Sequence, residues 1–109
     1  MLKQFLLIVV LPVYLTACNK PPEACIETDM ETASVGAPVT FSSCSKRALS
    51  QDWFMTGPAG APENTMGWSD ASFTHSFTVA GTYEIRLNAY SKFSFMGDVN
   101  TATQSFTVQ

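Results

Sequence analysis

Apolar and polar residues alternate one by one through much of the second half of this chain. Phe73, His75, Phe77 and Val79 interleave with Ser72, Thr74, Ser76 and Thr78. Tyr83, Ile85, Leu87 and Ala89 do the same with Glu84, Arg86, Asn88 and Tyr90. Successive side chains of a β-strand point to opposite faces, so a period of two collects the apolar residues on one side. Shorter stretches repeat the pattern: Val39 and Phe41 flank Thr40, and Phe106 and Val108 flank Thr107. Strands of this kind need a core on one face and water on the other, which two packed antiparallel sheets provide. No window carries a sustained helical stripe.

The interruptions agree with this reading. Val35-Gly36-Ala37-Pro38 stands before one strand, and Ala80-Gly81 makes a tight connection. Thr56-Gly57-Pro58-Ala59-Gly60-Ala61-Pro62 is a long loop, and Met96-Gly97-Asp98 falls within another. The expected strands lie at 25–31, 38–44, 50–56, 72–79, 82–90 and 101–108, with a short one near 65–69. The fold class is therefore all-β, an immunoglobulin-like two-sheet sandwich.

The N-terminus has a different character. Lys3 precedes an apolar run from Phe5 to Leu15, and Leu15-Thr16-Ala17-Cys18 follows. A basic start, a short apolar run and small residues at a cut site make a secretory signal peptide. A bilayer span needs about 20 apolar residues. This run falls well short of that, and Pro12 interrupts it. Leu15-Thr16-Ala17-Cys18 resembles the lipobox of bacterial lipoproteins. The resemblance implies cleavage after Ala17, acylation of Cys18 and residence in the bacterial cell envelope. Asn19, in the position after the lipidated cysteine, leans toward the outer membrane by the Gram-negative rule. The expected division is a signal peptide at 1–17, the lipidated cysteine and a short tether at 18–24, and a β-sandwich domain at 25–109. The tether carries Pro21-Pro22 and reaches roughly 20 Å at most, so the domain is expected close to the membrane.

After cleavage, five basic residues (Lys20, Lys46, Arg47, Arg86, Lys92) face nine acidic ones, a net charge of −4. Only Lys46-Arg47 is a basic pair. Neutralising phosphates takes several converging cations, so nucleic acid is not an expected partner. With Cys18 acylated, Cys25 and Cys44 remain in a compartment that oxidises thiols, and they are expected to form a disulfide. Two cysteines and one distant histidine are too few for a zinc site, and no metal or cofactor is expected.

Within the domain, Val35-Gly36-Ala37-Pro38-Val39-Thr40-Phe41, Trp53, His75-Ser76-Phe77 and Ala80-Gly81-Thr82-Tyr83-Glu84-Ile85-Arg86-Leu87 together resemble the PKD domain (polycystic kidney disease repeat). The resemblance covers roughly residues 33 to 108. It implies a β-sandwich with Trp53 buried on the third strand of the fold, His75 and Gly81 as structural positions, and a binding or spacer role toward protein or carbohydrate. The family commonly carries Trp-Asp-Phe-Gly-Asp-Gly on that strand and its turn. Here the run is Trp53-Phe54-Met55-Thr56-Gly57-Pro58, so any role of those aspartates is not carried over, and Phe54 is left at an exposed position. Independently of the family, Tyr83 follows a Gly-Thr turn, where its hydroxyl can bond back to a nearby backbone group.

The inventory of reactive groups excludes the common hydrolase arrangements. His75 is the single histidine and reads as a half-buried residue hydrogen-bonded to backbone. No serine sits in a Gly-x-Ser-x-Gly turn. Asp52 and Asp70 read as solvated. A non-enzymatic role follows. The remaining candidates are loop aromatics, Trp68, Phe93 and Phe95, as contact residues for an unidentified protein or glycan. The alternative is a structural component of a larger envelope complex, joined through an edge strand.

Overall fold

The computed structural model describes residues 20–109, and Cys18 with the leader lies outside them. Eight strands follow one another: β1 (Ile26–Thr28), β2 (Thr32–Ala33), β3 (Pro38–Ser43), β4 (Ser50–Thr56), β5 (Gly67–Trp68), β6 (Ser72–Ser76), β7 (Gly81–Lys92) and β8 (Met96–Val108). A single turn of 3-10 helix, Pro62–Thr65, precedes β5. Two sheets form, with strand orders β1-β3-β6 and β2-β8-β7-β4-β5. All pairings are antiparallel except the short β2–β8 contact.

The alternation predicts the inward set. Val39, Phe41, Phe73 and Phe77 from the smaller sheet meet Trp53, Met55, Tyr83, Ile85, Leu87, Phe106 and Val108 from the larger one. The centre is aromatic. Phe41 stacks on Phe73 at 5.3 Å and meets Phe106 edge-on at 5.5 Å, while Trp53 meets Phe73 edge-on at 5.2 Å. Each fully buried large apolar side chain contributes about 1.5–3 kcal/mol by leaving water. Edge-to-face rings add about 0.5–1.5 kcal/mol per pair.

Cys25 and Cys44 are joined, as expected, with their Cα atoms 4.8 Å apart. The bond fastens the entrance of β1 to the exit of β3. The segment before it is docked as well. Pro22 is buried. Glu23 N–H donates to the Lys46 carbonyl and Lys46 N–H to the Glu23 carbonyl, both at 2.9 Å. Arg47 Nε donates to the Pro21 carbonyl at 2.9 Å, and its guanidinium pairs with Glu23 at 3.2 Å. The sandwich thus takes in residues 21–24, which the composition alone assigns to the tether, because Pro22 is buried and the Glu23 backbone finds a partner in Lys46.

β7 and β8 are longer than the alternation predicts. They run to Lys92 and start again at Met96, so the Met96-Gly97-Asp98 run is strand and not loop. A register shift between Tyr90 and Lys92 absorbs one extra residue of β8, and Gly97 sits there at φ +83°. A bulge of this kind lets a glycine continue a strand that its residue type would otherwise end.

Candidate contact surface

The sequence predicts a backbone partner for the half-buried histidine of β6, but its partner is a carboxylate. His75 Nε2 lies 2.9 Å from Oε2 of Glu63, a carboxylate only 1% exposed. Glu63 reaches the interior from the 3-10 turn, where Pro62 sets the backbone and the Glu63 carbonyl accepts the Met66 N–H. Tyr83 completes the group. Its hydroxyl donates to the Val79 carbonyl at 2.6 Å and stands 3.4 Å from Glu63 Oε1. Burial, and then the Glu63 charge, push the Tyr83 hydroxyl above the usual tyrosine range. His75 also meets Trp68 and Phe77 edge-on at 5.5 and 4.9 Å. The trio is a latch that ties the 56–66 connection to both sheets.

Trp68 takes part in that closure. It lies on β5 opposite Trp53, and its ring is flat on Phe73 at 4.4 Å and 7°. It lies in the short strand expected near 65–69 and is half-buried against the core, so this candidate contact residue has one ring face committed to packing. Trp53 is fully buried and its Nε1–H donates to the Asp70 carbonyl at 2.8 Å. Gly81 has φ +147°, and a Cβ there would run into the Pro58 ring.

The outward face of β4, β7 and β8 is built in three rows. In the first, Phe54, Arg86 and Thr103 stand side by side. The Arg86 guanidinium carbon lies 5.6 Å from the centre of the Phe54 ring, and Phe54 is 39% exposed. In the second row, Thr101 Oγ1 donates to Asn88 Oδ1 at 2.7 Å, and Asn88 Nδ2 donates to Asp52 Oδ1 at 2.9 Å. In the third, the Tyr90 hydroxyl reaches diagonally to the Asp52 carboxylate at 3.2 Å. Asp52 is therefore a networked, half-buried acid, where the sequence alone reads a solvated one. Burial and then the Asp52 charge raise the Tyr90 hydroxyl above the usual tyrosine range, so it stays protonated and donates. The result is a strip with one ring at each end, Phe54 and Tyr90, and a planar carboxylate and amide between them.

The strip ends at the β7–β8 hairpin tip. The Phe95 ring meets Tyr90 edge-on at 5.7 Å. Phe93 and Met96 are the most open large apolar residues of the described chain, 69% and 62% exposed. Ser94 and Phe95 both adopt left-handed backbone, φ 62° and 59°, which costs of order 1 kcal/mol or more for a residue other than glycine. Local bonds hold this shape. Ser50 Oγ donates to the Lys92 carbonyl at 2.6 Å and accepts the Phe95 N–H at 3.0 Å. Asp98 N–H donates to Ser91 Oγ at 2.8 Å. Phe54 and Phe95 thus share one side of the larger sheet, and Trp68 lies on its inner side. Among the described residues, no three of histidine, cysteine, aspartate and glutamate gather as a metal site would require.

No protein-family model and no curated protein matches the sequence. Solved structures do match. The PKD1 domain of Vibrio anguillarum Epp superposes with a TM-score of 0.62 at 23% identity, covering 84% of this chain and 96% of that one. The PKD1 domain of the Vibrio cholerae metalloprotease PrtV superposes at 0.57 and 23% identity, over 83% and 99%. The fold is that of a single PKD-like domain. A structure described as showing the promiscuous specificity of carbohydrate-binding modules of the β-sandwich superfamily superposes at 0.65, with 17% identity over 84% of this chain. This chain spans about a third of that one, 35%.

Proposed function

We propose that the chain is a lipid-anchored, non-catalytic contact module of the bacterial envelope, and that it takes carbohydrate on the outward face of β4, β7 and β8. The observation that carries the reading is the strip from Phe54 to Tyr90. Sugars offer apolar C–H faces and paired hydroxyls. Aromatic rings meet the first, and side chains with planar donor and acceptor pairs meet the second. Asp52 and Asn88 are already oriented by Tyr90 and Thr101, so little side-chain freedom is lost on binding. A carboxylate accepts about four hydrogen bonds, which leaves capacity beyond Asn88 and Tyr90, and the amide has a second N–H. The fold is one that carbohydrate-binding modules also use. Attachment rests on the Leu15-Thr16-Ala17-Cys18 run, whose acylation at Cys18 would hold the domain on a membrane and raise its local concentration there.

The test is retardation of the detergent-solubilised full chain in gels containing bacterial or plant polysaccharides. Retardation by at least one polysaccharide, lost in Phe54→Ala and Asp52→Ala, supports the reading. Free migration on every polysaccharide, or unchanged retardation of both variants, contradicts it.

A second reading, assembly into an envelope complex, has its own observation. β8 pairs with β7 along its length, but among the described residues its other side pairs with β2 only at Thr107 and Val108. The stretch from Met96 to Ser105 is an open edge without a single lysine, and lysine is a common guard against edge pairing. Recovery of a stoichiometric protein complex from solubilised membranes would favour this reading over sugar binding.

A further inference from the structure

The N-terminal end of the described chain and the hairpin tip lie at the same end of the sandwich. β1 enters beside the exit of β3, with Ile26 opposite Ser43. The chain before it is pinned to Lys46 and Arg47, in the connection that leads into β4. β4 begins at Ser50, opposite Tyr90, and Ser50 holds the tip through Lys92 and Phe95. Ala24 N–H donates to Asn100 Oδ1 on β8 at 2.8 Å. The other end of the sandwich carries the 77–80 connection and the last residues of β8, where Gly81 faces Val108.

Two further properties collect at the N-terminal end. Leu49, Phe93, Phe95, Met96 and Val99 are all exposed there. So are four of the five basic residues that follow the leader: Lys20, Lys46, Arg47 and Lys92. Of the acidic residues toward this end, Glu23 is held by Arg47, Asp98 lies in the hairpin, Glu27 faces Ser42, Asp52 is bound by Asn88 and Tyr90, and Asp70 lies next to Ala71, whose carbonyl accepts the Ser43 N–H. Asp29, Glu31 and Glu84 lie toward the opposite end, because Asp29 N–H bonds the Thr40 carbonyl, Glu31 precedes the β2 contact with Thr107, and Glu84 faces Thr56. Four cations and the exposed Phe93 and Phe95 rings thus share this end.

We propose that the β7–β8 tip is a membrane-docking element that rests in the headgroup region of the bilayer to which Cys18 is attached. The inference rests on the lipid-attachment reading and deepens it. Only Asn19 and Lys20 separate Cys18 from Pro21, the first docked residue, and three residue steps span at most about 10 Å. Acyl chains at Cys18 therefore bring this end of the domain against the lipid. Rings and long apolar side chains settle at the membrane–water boundary, and Lys and Arg draw toward anionic headgroups. The fixed tip offers Phe93, Phe95 and Met96 without further ordering. Docking would hold the β4–β7–β8 face roughly upright on the membrane, open to ligands beyond it.

The test uses the native acylated protein reconstituted into phosphatidylethanolamine–phosphatidylglycerol vesicles. An environment-sensitive fluorophore is placed at Phe93→Cys, at Met96→Cys and, on the opposite end, at Thr78→Cys. All three sites are exposed, so the fold is expected to tolerate each change. Spin-labelled lipid should quench the labels at 93 and 96 several-fold more than the label at 78, with a blue shift at the tip alone. If the protein floats with the vesicles but tip labels are quenched no more than the label at 78, docking is refuted while attachment stands. If the protein does not float at all, attachment and docking fall together.

Discussion

His75 and Glu63 meet at 2.9 Å inside the sandwich, one brought by a strand and the other by a single helical turn twelve residues earlier. The side chains are 16% and 1% exposed, so Glu63 cannot recover water if its partner is removed and His75 recovers little. Taking one member from such a pair leaves an uncompensated polar group, at a cost of about 3–5 kcal/mol for buried ion pairs and about 1–3 kcal/mol for neutral ones. His75→Ala and Glu63→Ala should each lower stability by about 2–4 kcal/mol, and the double variant by less than the sum. Urea denaturation of the four species of this cycle checks it, and additive losses would show that the two side chains are not coupled.

Tyr83 predicts a pH effect with a definite sign. Its hydroxyl is shifted above the ordinary value of 10.0, by burial first and by Glu63 next. The folded chain therefore keeps this proton at pH values where the unfolded chain releases it. Below pH 10 the bond contributes fully, and the contribution declines as pH rises above 10. Tyr83→Phe should cost about 1–3 kcal/mol at pH 7, by leaving the Val79 carbonyl and Glu63 with one donor fewer. The gap between wild type and Tyr83→Phe should narrow as pH rises above 10 in parallel denaturation curves.

The disulfide closes a loop between residues 19 apart in sequence. In the chain-entropy account a loop of this size is worth about 3 kcal/mol. Cys25→Ser with Cys44→Ser should lower the midpoint of urea unfolding accordingly. The Lys46–Glu23 backbone pair next to the bond should exchange its amide protons faster in the variant.

Two glycines are required by close approach. A Cβ at Gly57 would enter the Tyr83 ring, and one at Gly81 would enter the Pro58 ring at a backbone angle that side chains resist. Gly57→Ala and Gly81→Ala should each cost about 1–3 kcal/mol through overpacking. At Gly60, where nothing lies within 4 Å of a new Cβ, alanine meets only the backbone penalty, and the loss should be smaller. Thermal unfolding of the three variants ranks them.

The strip predicts a separation of binding from stability. Phe54 is 39% exposed, so Phe54→Ala should change stability little while abolishing polysaccharide retention. Tyr90→Phe removes only the hydroxyl that orients Asp52, and should weaken retention by a smaller factor than Asp52→Ala. A Tyr90→Phe variant that binds as tightly as wild type would show that orientation of the acid does not matter.

Much of the sandwich can be read from residue order, because alternation reports which face of a strand is dry. β3, β4 and β6 begin at residues 38, 50 and 72, where the pattern sets them. The Tyr83 bond to the Val79 carbonyl follows from its place after a Gly-Thr turn. The hairpin is different. Gly97 and Asp98 are turn-forming types, and nothing local says that a bulge will absorb the glycine and carry the ladder on to Met96. Glu63 is hidden for another reason. A carboxylate in a proline- and glycine-rich run reads as solvated, and only its placement beside a histidine twelve residues later makes burial affordable. Trp68 falls in the short strand expected near 65–69, but a strand of two residues is too short for a period to say which face its ring takes. The three rows of the outer face depend on register between distant strands, which residue order does not supply.

We propose that fatty chains on Cys18 hold this small sandwich at a membrane. Intact-mass spectrometry of protein extracted from native membranes, followed by fragmentation of the N-terminal peptide, tests it most directly. The expected result is a chain that starts at residue 18, with acyl mass on Cys18 and the disulfide at Cys25 and Cys44 intact. A chain with the leader still in place, or one that starts at residue 18 with an unmodified thiol, would contradict it.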